Sequence, residues 1–198
     1  MRKEKSIKLF DRLSPFFGRA YGRQRKQYSR IFQSMVQCNL SHFSTILDVG
    51  FGSGAMASVF ADMRLKTYAV DRSMGMLKVA KQKLVHNKVN LVLADAVDGL
   101  PFPENSFDVV IAAFVAHGMQ AEERLKLYAE MKRVGKHLFI LHDYNGKRSL
   151  IYSLAEFLEG GDYFNFTRVI KDELMDYFGN LEIVNTDKMS CCYVCNIS

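Results

Sequence analysis

An apolar run leads directly into a glycine-rich turn in the stretch Thr45-Ile46-Leu47-Asp48-Val49-Gly50-Phe51-Gly52-Ser53-Gly54-Ala55. The pattern predicts a β-strand, a tight turn and the start of a helix. Twenty-one positions after Gly50, Asp71 closes the next apolar run. Glycines let backbone N–H groups approach a ligand, and an acidic side chain at the tip of the neighbouring strand can accept hydrogen bonds from both ribose hydroxyls. The spacing therefore predicts a site for an adenosine-containing ligand.

Short apolar runs alternate with amphipathic segments along most of the chain, which is typical of a doubly wound α/β fold. Each predicted strand is nearly all apolar, as expected for a parallel strand covered on both faces. The five strands are Thr45–Val49, Thr67–Val70, Leu91–Ala94, Phe107–Ala113 and His137–His142. Helices are predicted between them, including one with Ser73 as its N-cap and one over Ala121–Val134.

Two more extended runs, Leu181–Asp187 and Cys191–Ile197, follow a helix that is predicted near Arg168–Phe178. The link between these runs is only three residues long, whereas a parallel pair needs a crossover of about a dozen residues or more. The runs must therefore form an antiparallel hairpin. The predicted fold is a mostly parallel seven-stranded sheet that ends in a C-terminal antiparallel hairpin.

Positive charge is concentrated at the start of the chain. Residues 1–30 contain ten Lys or Arg and two acidic residues, in a chain of 198 residues with a net charge of +6. We expect a basic N-terminal helical arm over residues 1–40 and a single globular domain over residues 41–198. Such an arm could bind a nucleic acid or an anionic membrane surface. Its many apolar residues favour a surface helix that docks on the domain.

Targeting signals and metal motifs are weak in this sequence. No apolar run approaches the roughly 20 residues that span a bilayer, and the N-terminus has no secretory apolar stretch, so a cytoplasmic location is expected. Cys192 and Cys195 form a C-x-x-C, but a structural zinc site needs four ligands, and Cys191 would point to the opposite strand face. We expect packed thiols, Cys38 included, and no metal.

Four stretches, in order and suitably spaced, resemble motifs of the class I S-adenosylmethionine-dependent methyltransferases. They are Ile46–Gly54, Ala69–Ser73, Leu93–Ala96 and Gly99–His117. The last is similar to the segment around the fourth strand in the ubiquinone/menaquinone-biosynthesis branch of that family. The resemblance implies a Rossmann-like methyltransferase fold, with S-adenosylmethionine as methyl donor and S-adenosylhomocysteine as product.

The resemblance also implies roles for individual residues. Gly50 and Gly52 would wrap the carboxypropyl part of the donor, Asp71 would hold the ribose, and Asp95 would read the adenine edge. The full set of implied donor contacts is Asp48, Gly50, Phe51, Gly52, Asp71, Arg72, Met76, Asp95, Ala96 and Phe114. The candidate base is His117, which follows the fourth strand, and a packed, hydrogen-bonded imidazole is expected for His142.

Three other functions stay open at this point. Gly50–Ala55 also satisfies the dinucleotide pattern of NAD(P)-dependent oxidoreductases, although Asp48 would repel a pyrophosphate and Asp95 has no role there. An RNA methyltransferase that uses the basic arm is a second alternative. A protein that binds S-adenosylmethionine without catalysis is the third.

A small apolar or aromatic acceptor is expected, because the chain has no appended recognition domain and its variable segments are rich in aromatic residues. These aromatic residues are predicted to roof an apolar pocket: Tyr21, Tyr28, Tyr152, Phe157, Tyr163, Phe164 and Phe166.

Overall fold

The computed structural model describes residues 2–35, 40–146 and 163–197. The chain divides into two compact units, Met1–Pro101 and Phe102–Ser198.

The first unit alternates helices and strands after a long N-terminal helix. Its elements are α1 (Arg2–Ser34), a 3-10 helix (Leu40–His42), β1 (Thr45–Val49), α2 (Ala55–Asp62), β2 (Lys66–Asp71), α3 (Met74–Lys83) and β3 (Val89–Leu93). The three strands are parallel, with Val49 opposite Val70 and Asp71 opposite Leu93. The loops that follow the carboxyl ends of these strands therefore share one edge of the sheet.

Helix α1 packs along α2 and α3 through its apolar side. Phe10, Phe17 and Tyr21 of α1 contact a buried cluster that includes Phe51 and Met76. The amino end of α3 lies so close to α1 that a Cβ on Gly75 would stand 2.9 Å from the backbone of Asp11. Only glycine permits this approach, so the sequence of α3 fixes where α1 crosses it.

The second unit holds the remaining strands. Its elements are β4 (Phe107–Ala113), a 3-10 helix (Ala116–Gly118), α4 (Ala121–Val134), β5 (Gly135–Tyr144), α5 (Tyr163–Phe178), β6 (Glu182–Asn185) and β7 (Ser190–Asn196). Strands β4 and β5 are parallel, and β7 is antiparallel to both β5 and β6. The predicted C-terminal hairpin is confirmed.

The seven strands are assigned to one mixed sheet in the order β3-β2-β1-β4-β5-β7-β6. The predicted fold class is therefore confirmed, with strand ends shifted by a few residues. One expectation was wrong, because β3 is an edge strand, and only part of it is covered. Its residues are half-buried or exposed, and the side chain of Leu93 is 44% exposed.

No helix within the described ranges combines the length and the apolarity that crossing a bilayer requires.

Candidate active site

The turn after β1 is built on three glycines in the left-handed region, with φ of 78° at Gly50, 54° at Gly52 and 80° at Gly54. A Cβ on Gly54 would come within 2.7 Å of Leu84, so this glycine allows α2 to pack on α3. A Cβ on Gly52 would meet nothing within 4 Å. Gly52 therefore borders open space, which is the environment that backbone contact with a ligand requires.

Asp71 ties the end of β2 to this turn. Its Oδ2 accepts a hydrogen bond from the Gly52 N–H at 2.9 Å, and its Oδ1 accepts one from the Ser73 N–H at 2.8 Å. Burial raises the pKa of Asp71, while these two N–H groups favour the ionised form. A carboxylate oxygen has room for a second hydrogen bond, so both oxygens can still accept from a pair of hydroxyls.

Asp48 is the most unusual charge in the first unit. Its side chain is fully buried in β1, and neither carboxylate oxygen has a hydrogen-bond partner among the described residues. Burial raises the pKa of Asp48 well above its usual value, the nearby Asp71 raises it further, and the Ala57 N–H offers only weak stabilisation. A buried carboxylate without partners is costly, so this position suits a cationic ligand group.

Asp95, in the loop after β3, already has cationic neighbours. Lys3 Nζ lies 3.0 Å and Arg72 Nη1 3.5 Å from its Oδ2, and the Val97 N–H donates to its Oδ1 at 3.0 Å. The Lys3 contact is an ion pair at hydrogen-bonding distance without the alignment of a directional hydrogen bond. Burial opposes ionisation, yet the Lys3 and Val97 contacts and the charge of Arg72 hold the pKa of Asp95 below its usual value.

Helix α1 makes further polar contacts with the segments that follow β1 and β2. The Arg72 guanidinium donates to Ser6 Oγ at 2.8 Å, and Ser53 Oγ donates to Gln24 Oε1 at 3.0 Å. Asp11 Oδ1 accepts from Ser73 Oγ at 2.6 Å and from the Gly75 N–H at 2.8 Å. No role was predicted for Ser6, Asp11 or Gln24. One signal was available, because Asp11 is one of only two acidic residues in a strongly basic segment.

Three apolar residues that were predicted to contact the donor, Phe51, Met76 and Ala96, are buried. Met76 is 2% exposed and lies in the cluster with Phe51, Leu77 and Leu84. Ala96 is buried directly after Asp95. Phe51 and Met76 therefore belong to the hydrophobic core of the first unit, whereas Asp48, Gly52, Asp71 and Asp95 are polar members of the predicted donor set.

In the second unit, His117 pairs with Asp143. The imidazole Nδ1 lies 2.8 Å from Oδ1 of Asp143, and the His117 backbone N–H donates to Oδ2 at 3.3 Å. Asp143 is fully buried near the carboxyl end of β5, where the Tyr144 N–H also donates to its Oδ1 at 2.9 Å. A carboxylate held in this way orients the ring and stabilises the imidazolium. His117 was predicted as the candidate base, whereas its pairing with Asp143 was not predicted.

Aromatic rings surround this pair. The ring centroid of Tyr144 lies 4.9 Å from that of His117, and the ring of Phe166 lies 6.4 Å from it. Phe114 contacts His117, His142 and Tyr144, and its backbone has a φ of 53°, which is unusual for a bulky residue. Its N–H donates to the His142 carbonyl at 2.8 Å, so the strained conformation is held by β5.

His142 is more deeply buried than His117. It is fully buried, and its Nε2 lies 3.0 Å from Thr186 Oγ1. Burial lowers the pKa of His142 to about 4, so the ring is neutral at physiological pH. The expectation of a packed, hydrogen-bonded imidazole is confirmed.

Several predicted residues lie elsewhere. Tyr21 packs on the core of the first unit, and Tyr28 stacks on Phe32 with ring centroids 6.5 Å apart, so both dock α1 instead of roofing a pocket. Tyr152, Phe157, the side chains of Tyr163 and Phe164, and Cys38 lie outside the described residues. Cys191, Cys192 and Cys195 are buried free thiols, and no metal-binding cluster occurs in the part of the chain that is described.

The chain is similar in sequence to a known protein family. Residues 47–138, from β1 into β5, match a family model described as a methyltransferase domain. These residues are similar to a methyltransferase domain. The predicted family resemblance is therefore confirmed for this segment, which contains Asp48, Asp71, Asp95 and His117.

Two curated relatives are each similar to about half of this chain. The chain is similar to the demethylmenaquinone methyltransferase of Renibacterium salmoninarum, with 40% identity over 91 residues, which are 46% of this chain and 36% of the relative. It is also 34% identical over 108 residues to the ubiquinone/menaquinone biosynthesis C-methyltransferase UbiE of Burkholderia mallei, covering 52% of this chain and 43% of that protein. In both cases the alignment spans less than half of the relative.

A solved structure supports the fold. The SAM-dependent methyltransferase of Aquifex aeolicus superposes with a TM-score of 0.62 at 22% identity, covering 86% of this chain and 98% of that one. At this identity the likeness concerns the fold alone. The predicted fold, a mostly parallel seven-stranded sheet, agrees with this structural likeness.

Proposed function

We propose that the chain is an S-adenosylmethionine-dependent methyltransferase that acts on a small apolar or aromatic acceptor. The observation that carries this proposal is the buried carboxylate of Asp48, which has no hydrogen-bond partner among the described residues and lies shortly before a glycine turn and near Asp71. A pyrophosphate would be repelled by these two acids, which disfavours the oxidoreductase alternative. A ligand with both a cationic amino group and a ribose suits them.

On the donor side, each residue performs a binding task. Asp48 stabilises the amino group of the methionine moiety, and Gly52 lets the ligand approach the backbone. Asp71 accepts from the ribose hydroxyls while Gly52 and Ser73 hold it in place. Asp95 accepts from the adenine amine, for which its oxygen must be shared with Lys3. When bound, the donor supplies a methyl group on a positively charged sulfur, which makes that methyl electrophilic.

On the acceptor side, His117 serves as the base. Its Nε2 takes the proton from the acceptor atom, that atom forms a bond to the methyl group, and the carbon–sulfur bond breaks to leave neutral S-adenosylhomocysteine. Asp143 holds Nδ1 and stabilises the imidazolium until the proton passes to water. The reaction transfers one methyl group and releases one proton overall.

The acceptor class follows from the rings around His117. Phe114, Tyr144 and Phe166 offer aromatic surfaces that suit a planar, apolar molecule. Both curated relatives carry names that refer to quinone biosynthesis, which supports a quinone-like or phenolic acceptor.

The test measures S-adenosylhomocysteine formation with a panel of demethylated quinols, simple phenols and a mixed-sequence RNA. We expect turnover with a quinol or phenol, and a methylated product by mass spectrometry. Turnover only with RNA would overturn the acceptor class. Calorimetric binding of S-adenosylhomocysteine without turnover on any acceptor would assign the chain to the binding-only alternative.

A further inference from the structure

A row of seven cationic residues and one phenylalanine lies along the solvent-exposed side of α1. Its members are all exposed: Lys5, Lys8, Arg12, Phe16, Arg19, Arg23, Lys26 and Arg30. They are spaced three or four residues apart, so on a helix with 100° per residue they fall within an arc of about 80°. At 1.5 Å per residue the row is about 37 Å long. We call these eight residues the basic stripe.

Acidic side chains of the described residues do not neutralise the charge of the basic stripe. Of the two acidic residues of α1, Asp11 turns toward α3, where it accepts from Ser73 and Gly75, and Glu4 lies at the very start of the helix. Arg25, which is off the stripe, pairs with Asp62. Within residues 2–35, 40–146 and 163–197, no cation of the stripe forms an ion pair with a carboxylate. The stripe is thus a linear anion-binding surface.

One large apolar side chain interrupts the cations. Phe16, near the middle of the stripe, is 61% exposed. Arg12 and Arg19 lie about one helical turn to either side, and the Arg19 guanidinium carbon is 5.7 Å from the centroid of the ring. The exposure of a large aromatic ring to water is unfavourable, but such a ring is suited to the boundary between lipid headgroups and acyl chains.

We propose that the basic stripe docks the protein on an anionic lipid surface, with Phe16 inserted at its centre. Clusters of four to eight Lys or Arg on an amphipathic helix bind acidic headgroups through their charge. A convex helix with one aromatic residue provides neither the groove nor the successive stacking platforms of single-stranded nucleic acid binders.

The choice of lipid also rests in part on the proposed function, because an apolar acceptor dissolves in a bilayer. On the opposite side of α1, three residues contact the loops that follow β1, β2 and β3. Lys3 contacts Asp95, Ser6 contacts Arg72, and Gln24 contacts Ser53. A single helix would therefore join the lipid surface to the site that holds the methyl donor.

The experiment measures binding of the full chain, without donor or acceptor, to vesicles of phosphatidylcholine with and without phosphatidylglycerol. The stripe variant replaces Arg12, Arg19, Arg23 and Lys26 by Gln. The matched control replaces four exposed lysines outside α1 by Gln, so that it loses the same charge: Lys81, Lys88, Lys126 and Lys171. A third variant is Phe16→Gln. Circular dichroism and S-adenosylhomocysteine affinity establish that each variant is folded.

We expect the wild-type chain to bind only the anionic vesicles, and to bind more weakly as salt increases. At about fivefold per cation, the stripe variant should lose at least about 50-fold in partitioning, the control less than about fivefold, and Phe16→Gln several-fold. Equal losses in the stripe variant and the control would overturn the proposal, as would failure of the wild-type chain to bind anionic vesicles.

A mixed-sequence RNA serves as the competing ligand. If it binds more tightly than vesicles at the same salt and loses affinity in the stripe variant, the surface belongs to nucleic acid and the lipid proposal is wrong. The proposed function is tested separately by turnover in the acceptor panel. Absence of turnover there would not change the interpretation of vesicle binding.

Discussion

Lys3 Nζ lies 3.0 Å from Oδ2 of Asp95, so the first turn of α1 contacts the carboxylate that is predicted to read adenine. Lys3 also pairs with the exposed Asp98, and these contacts raise the pKa of the ammonium against the effect of burial. The amine of a bound adenine and this ammonium would share one oxygen. If Asp95 reads adenine as proposed, donor binding would require a rearrangement of the Lys3 side chain.

Replacing Lys3 by Met should strengthen S-adenosylhomocysteine binding. A partly exposed ion pair contributes at most about 1 kcal/mol, so the expected gain is up to about fivefold in affinity by calorimetry. Lys5→Met, on the same helix but exposed, is the control and should bind as the wild type does. Weaker binding in Lys3→Met would mean that Lys3 supports the donor instead of competing with it.

Asp71→Ala should weaken donor binding by on the order of 1.5–3 kcal/mol, because hydrogen bonds to a charged group are lost. The variant also removes the acceptor for the Gly52 and Ser73 N–H groups, so a decrease in thermal stability should accompany the loss. Asp172→Asn, at an exposed position of α5, is the control. Unchanged affinity in Asp71→Ala would contradict the ribose assignment.

Asp48→Asn should stabilise the ligand-free protein while weakening donor binding. The raised pKa means that the folded state binds a proton more tightly than the unfolded chain, so this carboxyl costs stability as pH rises above about 4. The variant should gain about 1–3 kcal/mol in free energy of unfolding at neutral pH, with a smaller gain near pH 4. Denaturant unfolding at both pH values measures this difference. A loss of stability at neutral pH would show that Asp48 is satisfied in the free protein.

His117→Ala should lower kcat by about 10²–10⁴-fold with little change in donor affinity, because it removes a base and not a donor contact. Asp143→Asn keeps the shape but no longer favours the charged ring, so it should lower kcat and move the acidic limb of the pH profile of kcat to lower pH. Turnover in a range of pH values measures both effects. Normal kcat in His117→Ala would exclude a general base at this position.

His142 should make stability depend on pH in the acidic range. Its folded pKa of about 4 is below its ordinary value of 6.5, so between these pH values the unfolded chain binds a proton that the folded chain does not. Stability should fall as pH drops from 6.5 to 4, by up to about 3 kcal/mol. His142→Asn should show a shallower decline, whereas the exposed His86→Gln should follow the wild type. Parallel curves for all three proteins would contradict this assignment.

The order of the elements could be predicted because parallel strands alternate with amphipathic helices, and the short link before Cys191 forces a hairpin. The exposure of β3 could not be predicted, since Leu91 and Leu93 look the same on an edge strand as on a central one. Similarly, spacing indicated Asp71 and Asp95, because each follows its strand at a fixed offset. The pairing of His117 with Asp143 depends on the register of β4 and β5, which local sequence does not encode.

The contacts of α1 with the loops that follow the strands of the first unit could not be predicted from the local sequence pattern either. Its apolar residues predicted a docked helix, which the structure has. Nothing in the composition indicated that Lys3 and Gln24 would reach Asp95 and Ser53 from opposite ends of that helix. Such contacts arise only once the crossing point, set at Gly75, is known.

The isolated carboxylate of Asp48 has a consequence for the lifetime of the protein. A donor that neutralises this charge binds only the folded chain, and at a hundred times its dissociation constant a ligand of this kind adds about 2.7 kcal/mol to stability. Degradation by proteases that attack the open chain should therefore slow when the donor is plentiful and accelerate during methionine starvation.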